Sequence, residues 1–421
     1  MSVSNYKVEF EKMLNRDYFS KSLHPYRKEA FAQLKKIGFP TRKWENWRFT
    51  NVSAISDGEF MISEVADAPK NTLNIDSYKM EGVNSIIIYN GHYQKELSSV
   101  PDGVTLLSGL EYLEKKNGNF DTANNSPFDL LNTAFSDSGM CFVVEKEIQV
   151  ETPIRILFIS NGDRSIMVNP RVNIDLGESS NLIFIEHHVG DAAAFFQNES
   201  VFISLENNAQ LNHIRIQSNS EFTQNIANLN VNQQTNSQYD FLQLVDGSKL
   251  GRSNICVQLN GENAQCNINS LALSKNNQHI DNNIIVNHNS PQTHSTQFVK
   301  SILFDTSSGV FNGRTVVHQN AQKITAHQTN KNLLLSKKAT MNSNPQLEIY
   351  ADDVKCSHGS TTGQIDEDAL FYLQSRGINK QDAMELLVTG FANDVLDKIP
   401  HPEIKQFIQA DFTNKLGRLM S

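Results

Sequence analysis

The sequence is poor in cysteine and has no long apolar segment. Its 421 residues include four cysteines, Cys141, Cys256, Cys266 and Cys356, and no two of them form a CxxC pair. Such sparing use of cysteine favours a reducing compartment over a disulfide-stabilised secreted fold. No apolar run approaches the ~18 residues of a membrane span, and the opening MSVSNYKVEFEKML lacks the apolar core of a signal peptide. We therefore expect a cytoplasmic protein that does not enter a membrane.

Positive charge and nucleotide-binding motifs are also scarce. The chain has 37 Lys and Arg against 46 Asp and Glu, which gives a net charge of -9 at pH 7. Nucleic-acid binding needs a basic surface that releases counterions, so we expect no nucleic-acid partner. The sequence contains no GxxxxGK[ST], GxGxxG, GxSxG or HExxH motif. The first of these cradles nucleotide phosphates, so no bound nucleotide is expected in this chain.

The residues that are present change in texture along the chain. Residues 24–40 predict a helix that ends at Gly38, and a second helix is expected over 106–116. Near the other end, Asp366 and Asn379 have the side chains of helix N-caps. These patterns predict four regions: helical over 1–83, mixed α/β over 84–140, strand-rich over 141–363 and helical over 364–421.

The strand-rich region contains a loose repeat. A small residue followed by a polar one opens a strand at positions 29, 28, 27, 29 and 28 residues apart, starting at Ser180, Ala209, Ser237, Ala264, Thr293 and Ala321. A repeat of this length in an all-strand region predicts a solenoid in which each coil buries its apolar face against its neighbours. Asn and Gln in the strands would then form hydrogen-bonded ladders along the stack. A β-helix is our prediction, with a β-sandwich as the alternative.

The C-terminal helices carry more apolar surface than a free-standing tail can tolerate. Leu370 and Leu373 fall at helical spacing after Asp366, and Leu386 and Phe391 do so after Asn379; a third helix is expected after Pro400. We expect these helices to pack on the end of the solenoid, where they would protect the last strand, or on another protein.

The chemically reactive side chains are few. Most of the 12 histidines lie among strand residues and are expected as polar positions on the outer face. Cys356 and His358 stand two apart in KCSHG, so an extended segment would place both on one face, where they could ligate Fe or Zn. Lys355 and a nearby helix N-terminus are expected to lower the pKa of Cys356 and favour the thiolate. The other interpretation makes Cys356 a small buried apolar residue and His358 a surface or capping residue.

Two segments resemble a known family. LEIYADDVKCSHGSTTGQIDEDALFYLQSRGI (347–378) resembles the C-terminal signature of the SufB/SufD family of iron–sulfur cluster assembly proteins, with CSHG similar to the SufD type. FPTRKWENWRFTNV (39–52) resembles the N-terminal segment of the same type. The match in order and texture extends over essentially the whole chain.

This resemblance implies a fold and a role. The fold would be mainly β, a right-handed parallel β-helix flanked by N-terminal and C-terminal α-helical regions. The role would be that of a non-enzymatic scaffold, which pairs with a SufB-like protein through the β-helix and docks a SufC-like ATPase through its C-terminal helices. A nascent iron–sulfur cluster would form at the SufB interface, with His358 and Cys356 as candidate ligands. No cofactor would be bound stably by the isolated chain, which could form a homodimer.

A polysaccharide-active enzyme is the rival class, because β-helices often carry lyases and hydrolases. Glycoside hydrolysis needs two carboxyl groups about 5 to 9 Å apart. The acids of the repeat region, Asp240, Asp246, Asp281 and Asp305, are widely spaced and do not occupy matching repeat positions. We therefore rank this class behind the scaffold.

Overall fold

The computed structural model describes residues 3–16, 19–64, 75–116, 126–136 and 139–420. The helices are α1 (Ser4–Leu14), α2 (His24–Ile37), α3 (Ser53–Ser56), α4 (Gly109–Lys115), α5 (Pro127–Phe135), α6 (Glu367–Ser375), α7 (Lys380–Leu396) and α8 (Pro402–Met420). None of the helices in these ranges is long and apolar enough to cross a membrane. The predicted regions 1–83 and 84–140 lie partly outside the described residues, and the four region boundaries remain predictions.

The strands are numerous and mostly long. They are β1 (Met61–Ile62), β2 (Asn84–Tyr89), β3 (His92–Tyr93), β4 (Val104–Ser108), β5 (Met140–Val144), β6 (Ile154–Ile159), β7 (Ile166–Val168), β8 (Arg171–Leu176), β9 (Asn181–Val189), β10 (Phe195–Leu205), β11 (Gln210–Gln217), β12 (Thr223–Gln233), β13 (Gln238–Val245), β14 (Leu250–Leu259), β15 (Gln265–Ser274), β16 (His279–His288), β17 (His294–Leu303), β18 (Ser308–Val317), β19 (Ile324–Leu334), β20 (Thr340–Ile349) and β21 (Val354–Gly363).

These strands form a parallel β-solenoid. The first sheet has the order β20-β18-β16-β14-β12-β10-β8-β5-β4, and the second has the order β21-β19-β17-β15-β13-β11-β9-β6-β2-β3. From β8 onward, most consecutive strands alternate between the two sheets, and neighbours within a sheet run parallel. Each coil therefore gives one strand to each sheet, and the inward side chains form the core between them. The predicted β-helix is confirmed, and the β-sandwich alternative is wrong.

The coils turn at residues with left-handed backbone. These residues have φ of 57° to 60° and are Ser179, Asn208, Asn236, Asn263, Gln292 and Lys323. The small residue that follows is almost fully buried in the first five coils of the repeat, as the pattern predicted. In the sixth coil Ile324, rather than Ala321, takes this position, because the corner after Val317 is longer than the equivalent corner after His288.

Asparagine side chains join these corners along the stack. The Asn236 amide donates to Asn208 Oδ1 at 3.1 Å, and the Asn263 amide donates to Asn236 Oδ1 at 3.2 Å. The predicted ladders are therefore present. Because each side-chain amide both donates and accepts, asparagine at successive corners can form a continuous ladder of hydrogen bonds.

Helices cover the outer faces of the two sheets. Phe31 of α2 and Phe128 of α5 share an apolar cluster with Phe196 of β10 on the first sheet. Val388 of α7 and Ile408 of α8 share another cluster with strands of the second sheet. The C-terminal helices therefore lie along the side of the solenoid, and the prediction that they pack on its end is wrong.

Helix boundaries follow the capping residues. Helix α2 ends at Ile37 before Gly38, whose φ is 69°, and Asp366 and Asn379 cap α6 and α7, as predicted. The helix expected over 106–116 begins only at Gly109, because Ser108 and Glu111 form a reciprocal capping box there. The residues before it belong to β4, which pairs antiparallel with β5.

The last coil is left open. Strands β20 and β21 stand at the ends of their sheet orders, with β18 and β19 as their neighbours. Within the described part of the chain, no further strand pairs with them. Every residue of β21 is exposed or half-buried, in contrast to the buried residues of the coils before it. The expected protection of the last strand by a helix is therefore not found.

Candidate functional site

Strand β21 carries both predicted metal ligands on one row. Cys356 lies opposite Ala326 of β19, and His358 lies opposite Gln328. Ala326 and Gln328 are buried on the inward side of β19. Because side chains two apart in a strand point to the same face, Cys356 and His358 continue the inward row of the solenoid into its open end.

The two side chains differ in environment. Cys356 is half-buried and contacts a small apolar cluster that includes Ile324 and Ala326. His358 is exposed. Beside them, Ser360 Oγ lies 2.8 Å from Ser343 Oγ of β20, which links the two strands of the last coil. The imidazole is therefore accessible at the open end, whereas the thiol is partly covered by apolar neighbours.

The protonation of Cys356 differs from the expectation. Burial raises the pKa of the Cys356 thiol, and the backbone of Ala326 opposes this by less. Lys355 is paired with Thr325 and is exposed, so its side chain belongs to the opposite face of the strand. The prediction that Lys355 favours the thiolate is therefore wrong. A metal ion bound here must displace the thiol proton, which makes binding weaker at low pH.

The predicted docking residues of the C-terminal helices fall into two groups. Leu370 is buried, and Phe391 is half-buried with the Lys300 ammonium 4.2 Å from its ring centre. Leu373 is half-buried, and Leu386 is 54% exposed. Packing within the chain therefore occupies Leu370 and Phe391 in this conformation.

Two exposed aromatic side chains were missed by the sequence reasoning. Phe371 is 73% exposed and Tyr372 is 56% exposed, both on α6. The helical periodicity assigned Leu370 and Leu373 to the apolar face and left Phe371 and Tyr372 on the other side. Large aromatic residues on the polar side of an amphipathic helix are the signal that could have found them.

The acids of the rival enzyme hypothesis are engaged in bonds within the chain. Asp281 forms a buried ion pair with Arg252, and Asp246 lies 2.5 Å from the Lys415 ammonium. Asp240 accepts from the Asn267 amide at 2.7 Å. Asp305 accepts from the backbone of the corner residue Asn276 at 2.9 Å. These contacts hold corners, coils and helices together.

The structure is thus a parallel β-solenoid with helices along its sides and a Cys/His pair at its open end. Comparison with known families identifies the class of protein to which this architecture belongs. Residues 158–391 match the SufBD core domain of the SUF system for FeS cluster assembly, and residues 5–156 match the SufBD protein N-terminal region. The chain belongs to the SufBD family.

Individual relatives narrow the type. The chain is 32% identical over 405 residues to the iron-sulfur cluster assembly protein SufD of Escherichia coli, covering 93% of each chain. It is 31% identical over 403 residues to an iron-sulfur cluster assembly SufBD family protein of Synechocystis, covering 89% of this chain and 87% of the relative. It is also 31% identical over 404 residues to the chloroplastic protein ABCI7 of Arabidopsis thaliana, covering 91% and 84%. The chain is a SufD-type member of the iron–sulfur cluster assembly family.

Proposed function

We propose that this chain is a non-catalytic subunit of a Suf-type assembly complex, and that its open last coil contributes ligands to a nascent iron–sulfur cluster. The observation that carries the proposal is the end of the inward row, where Cys356 and His358 emerge side by side on β21. A thiolate and an imidazole suit iron, and each leaves positions for ligands from a second protein. The cluster is the cargo of the complex, passed on after assembly.

The partner at this end is a second solenoid. Strands β20 and β21 each offer an edge beyond β18 and β19, and an exposed edge is a template for pairing with another chain. A SufB-like subunit with an open coil of its own would extend both sheets and bring its ligands to His358. The same edges would also support a homodimer of the isolated chain.

The C-terminal helices receive the SufC-like ATPase. The helices expose apolar surface at Phe371 and Tyr372 on α6 and at Leu386 on α7. Helix α6 directly follows the last strand of the open coil. Strand β21 ends at Gly363, and α6 begins at Glu367, so a short link joins the ligand strand to this surface. Movement of the helices on ATP hydrolysis would reach the ligand strand through that link.

The ligand assignment is tested in the complex co-purified with a SufB-like and a SufC-like partner. His358→Ala should abolish most of the iron and acid-labile sulfide, because a methyl group cannot ligate iron, while leaving complex formation intact. The matched control is His327→Ala, since His327 is also exposed on the neighbouring strand but lies opposite Ser357, on the other face. Wild-type cluster content in the His358→Ala complex contradicts the assignment.

ATPase docking is tested with point variants. Removing residues 366–421 would uncover the apolar cluster beneath α7 and α8, so loss of binding could reflect unfolding. Leu386→Asp and Phe371→Asp should instead weaken ATPase pull-down at least tenfold without changing the melting temperature. Phe222→Asp is the control, because Phe222 is 58% exposed at a corner of the solenoid. Equal weakening by all three variants contradicts the assignment to α6 and α7.

We also propose a cytoplasmic location. The support is the chemistry of the cysteines: Cys141, Cys256, Cys266 and Cys356 are all reduced, outside any disulfide, and two of them are buried. Free thiols are typical of reducing compartments. Fractionation of the native host, with the chain followed by immunoblot, tests the location.

A further inference from the structure

A charged cluster lies inside the early coils, far along the row from the open end. Glu186 and His188 point inward from β9, and Glu199 points inward from β10. His213 and Arg215 point inward from the next strand, β11. The exposed fraction of each of these five residues is 1% or less. The expectation that strand histidines lie on the outer face is therefore wrong for His188 and His213.

Three of these side chains converge on one point. His188 Nε2 lies 3.6 Å from Glu186 Oε2 and 3.4 Å from Glu199 Oε2. Among the described residues, neither Glu186 Oε2 nor His188 Nε2 has a hydrogen-bond partner. A metal ion held at 2.0–2.2 Å by tetrahedral N and O ligands spaces those ligands about 3.3 to 3.6 Å apart. The two separations fall in that range.

The same separations disfavour a protonated histidine bridging the carboxylates. Charge-assisted hydrogen bonds between N–H and carboxylate oxygen are about 2.7 to 2.9 Å long, shorter than both distances from His188 Nε2. A proton would draw the groups together, whereas a metal ion between them holds them at the observed spacing. The three atoms belong to one group whose ligand atoms lie within 4.8 Å of one another.

Neighbouring groups hold the three side chains in place. His213 Nε2 lies 3.0 Å from Glu186 Oε1, and its Nδ1 lies 3.0 Å from the Tyr239 hydroxyl. Arg215 Nε donates to Glu199 Oε1 at 2.9 Å and lies 3.4 Å from Glu186 Oε2. Oε1 of each carboxylate is thus bonded within the cluster. Oε2 of each carboxylate faces His188, with Arg215 Nε beside that of Glu186 and the Gln197 amide beside that of Glu199. Such supporting bonds to ligand groups are typical of metal sites.

The ring of His188 is fixed on both sides. Phe158 stacks on it with 4.6 Å between ring centres and 2° between planes. The amide of Gln197 lies 2.7 Å from His188 Nδ1 and 3.1 Å from Glu199 Oε2. In this arrangement the amide nitrogen donates to both atoms. A metal ion at Nε2 requires the proton on Nδ1, so binding would turn the Gln197 oxygen toward Nδ1–H and release the bond to Glu199 Oε2, whose charge the ion would then balance. Histidine ligands usually donate their other ring N–H in this way.

The fold itself does not require these charges. In the row that contains Glu186 and Arg215, the next two coils carry Gln243 and Ser270, which are neutral. Burying ionised groups is expensive, and apolar replacements of buried ion pairs are often neutral or stabilising. Arg215 lies against both carboxylates and can balance one of the two charges; a bound cation would balance the other in this buried interior.

We propose that Glu186, His188 and Glu199 bind one divalent first-row transition-metal ion, with Zn²⁺ and Fe²⁺ as the ions that best suit one imidazole and two carboxylates. Water completes the shell. The site lies in the closed interior and ties β9 to β10, the two strands of one coil, so its role is to stabilise the early solenoid. It is separate from the ligands of the open end and does not depend on the proposed assembly function.

The test uses the full chain with Cys356→Ser and His358→Ala, so that no metal is held at the open end. Produced in medium supplemented with Zn²⁺, the purified chain should contain about one zinc per chain by mass spectrometry after dialysis against chelator. Adding His188→Gln should reduce this at least tenfold. Adding His288→Gln should leave it unchanged, because His288 is equally buried but its two ring nitrogens are bonded to the Thr293 and Ser295 hydroxyls.

Spectroscopy identifies the ligands. A Co²⁺-loaded chain should show the intense visible absorption of a tetrahedral ion, and X-ray absorption of the zinc form should show N and O neighbours without sulfur. Substoichiometric metal in the starting chain, or full metal in the His188→Gln chain, overturns the proposal. If His188→Gln fails to fold, Glu199→Gln replaces it. If neither folds, the zinc count and absorption spectrum of the starting chain decide.

Discussion

His213 and His358 occupy the same inward row of the solenoid, but one is buried and the other is exposed. The pairings connect His213 through Phe241, Ile268, Gln297 and Gln328 to His358. His213 is fully buried between a carboxylate and a tyrosine hydroxyl, whereas His358 is exposed. The position in the repeat is identical, so the chemistry of each imidazole depends on whether another coil covers it.

The composition of the strands accounts for this difference. The inward residues of β13 are large, with Tyr239 and Phe241 fully buried. Those of β21 are Val354, Cys356, His358, Ser360 and Thr362, and after Val354 they offer little to a further apolar layer. A stack of coils stops when its last inward row is too polar to attract the next one. The polar inward residues of β21 therefore account for the open end of the solenoid. Substitutions can test this contrast between the buried coils and the open last coil.

The largest expected effect is in the buried row. Phe241→Ala should lower the free energy of unfolding by about 3 to 5 kcal/mol, because it leaves a cavity among fully buried neighbours. The measurement is urea denaturation followed by circular dichroism. His358→Ala, at the same row position, is the control and should change stability by less than about 0.5 kcal/mol. Comparable losses in the two variants would mean that the last coil is as tightly packed as the middle.

A second prediction compares buried and exposed imidazoles by pH. Burial, with a smaller effect from His294, lowers the pKa of His288 to about 3. An unfolded histidine titrates near 6.5, so below that pH the unfolded chain binds the extra proton and the folded chain does not. His288 therefore makes the folded state less stable as pH falls from about 6.5 towards 3, by up to about 1.4 kcal/mol per pH unit.

The check is the pH dependence of urea unfolding between pH 6.5 and 5. Wild type should lose up to about 2 kcal/mol more than His288→Gln over this range. His327→Ala serves as the control, since His327 is exposed, and should follow the wild-type curve. Parallel curves for wild type and His288→Gln would show that His288 keeps an ordinary pKa in the fold.

Much of this architecture could be read from the sequence, because it depends on local periodicity. The small corner residues and the strand alternation predicted the coils, and Asp366 and Asn379 predicted helix starts. The sixth corner was predicted at Ala321 but lies at Ile324. The corner after Val317 is longer than the others, and the small-polar pattern still occurs at Ala321 within it. The side on which α7 and α8 pack was also missed, since amphipathicity gives a helix an apolar face but not its neighbour.

The site was predictable in part. Period-two spacing correctly put Cys356 and His358 on one face. The pKa of Cys356 was predicted in the wrong direction, because its burial depends on contacts with Ile324 and Ala326 from the preceding coil. The interior cluster was overlooked, although strict alternation in NLIFIEHH places Glu186 and His188 on the face of Leu182 and Phe184. Ionisable residues on the otherwise apolar face of this strand could have indicated the interior cluster.

A third prediction sharpens the contrast between covered and open surfaces. Lys300 is buried on the outer face of β17, and its ammonium donates to the Phe391 carbonyl and to Asp394 at 2.6 Å each. Lys300→Met should cost about 1 kcal/mol, since Asp394 is largely exposed and its ion pair is screened. Hydrogen exchange should accelerate in α7 and not in β21. Faster exchange in β21 alone would contradict the assignment of Lys300 to the helix contact.

The smallest expected effect separates stability from function at the open end. Cys356→Ser should cost up to about 1 kcal/mol, because a hydroxyl replaces sulfur against the cluster of Ile324 and Ala326. His358→Ala should cost less, because the imidazole is exposed. Cluster assembly should rank the two in the opposite order, with His358→Ala the more damaging, an order that rests on the family resemblance. Thermal melting of each variant, beside iron and sulfide content of its complex, gives both rankings. If the two rankings agree, loss of cluster follows loss of packing, and the ligand role of His358 is contradicted.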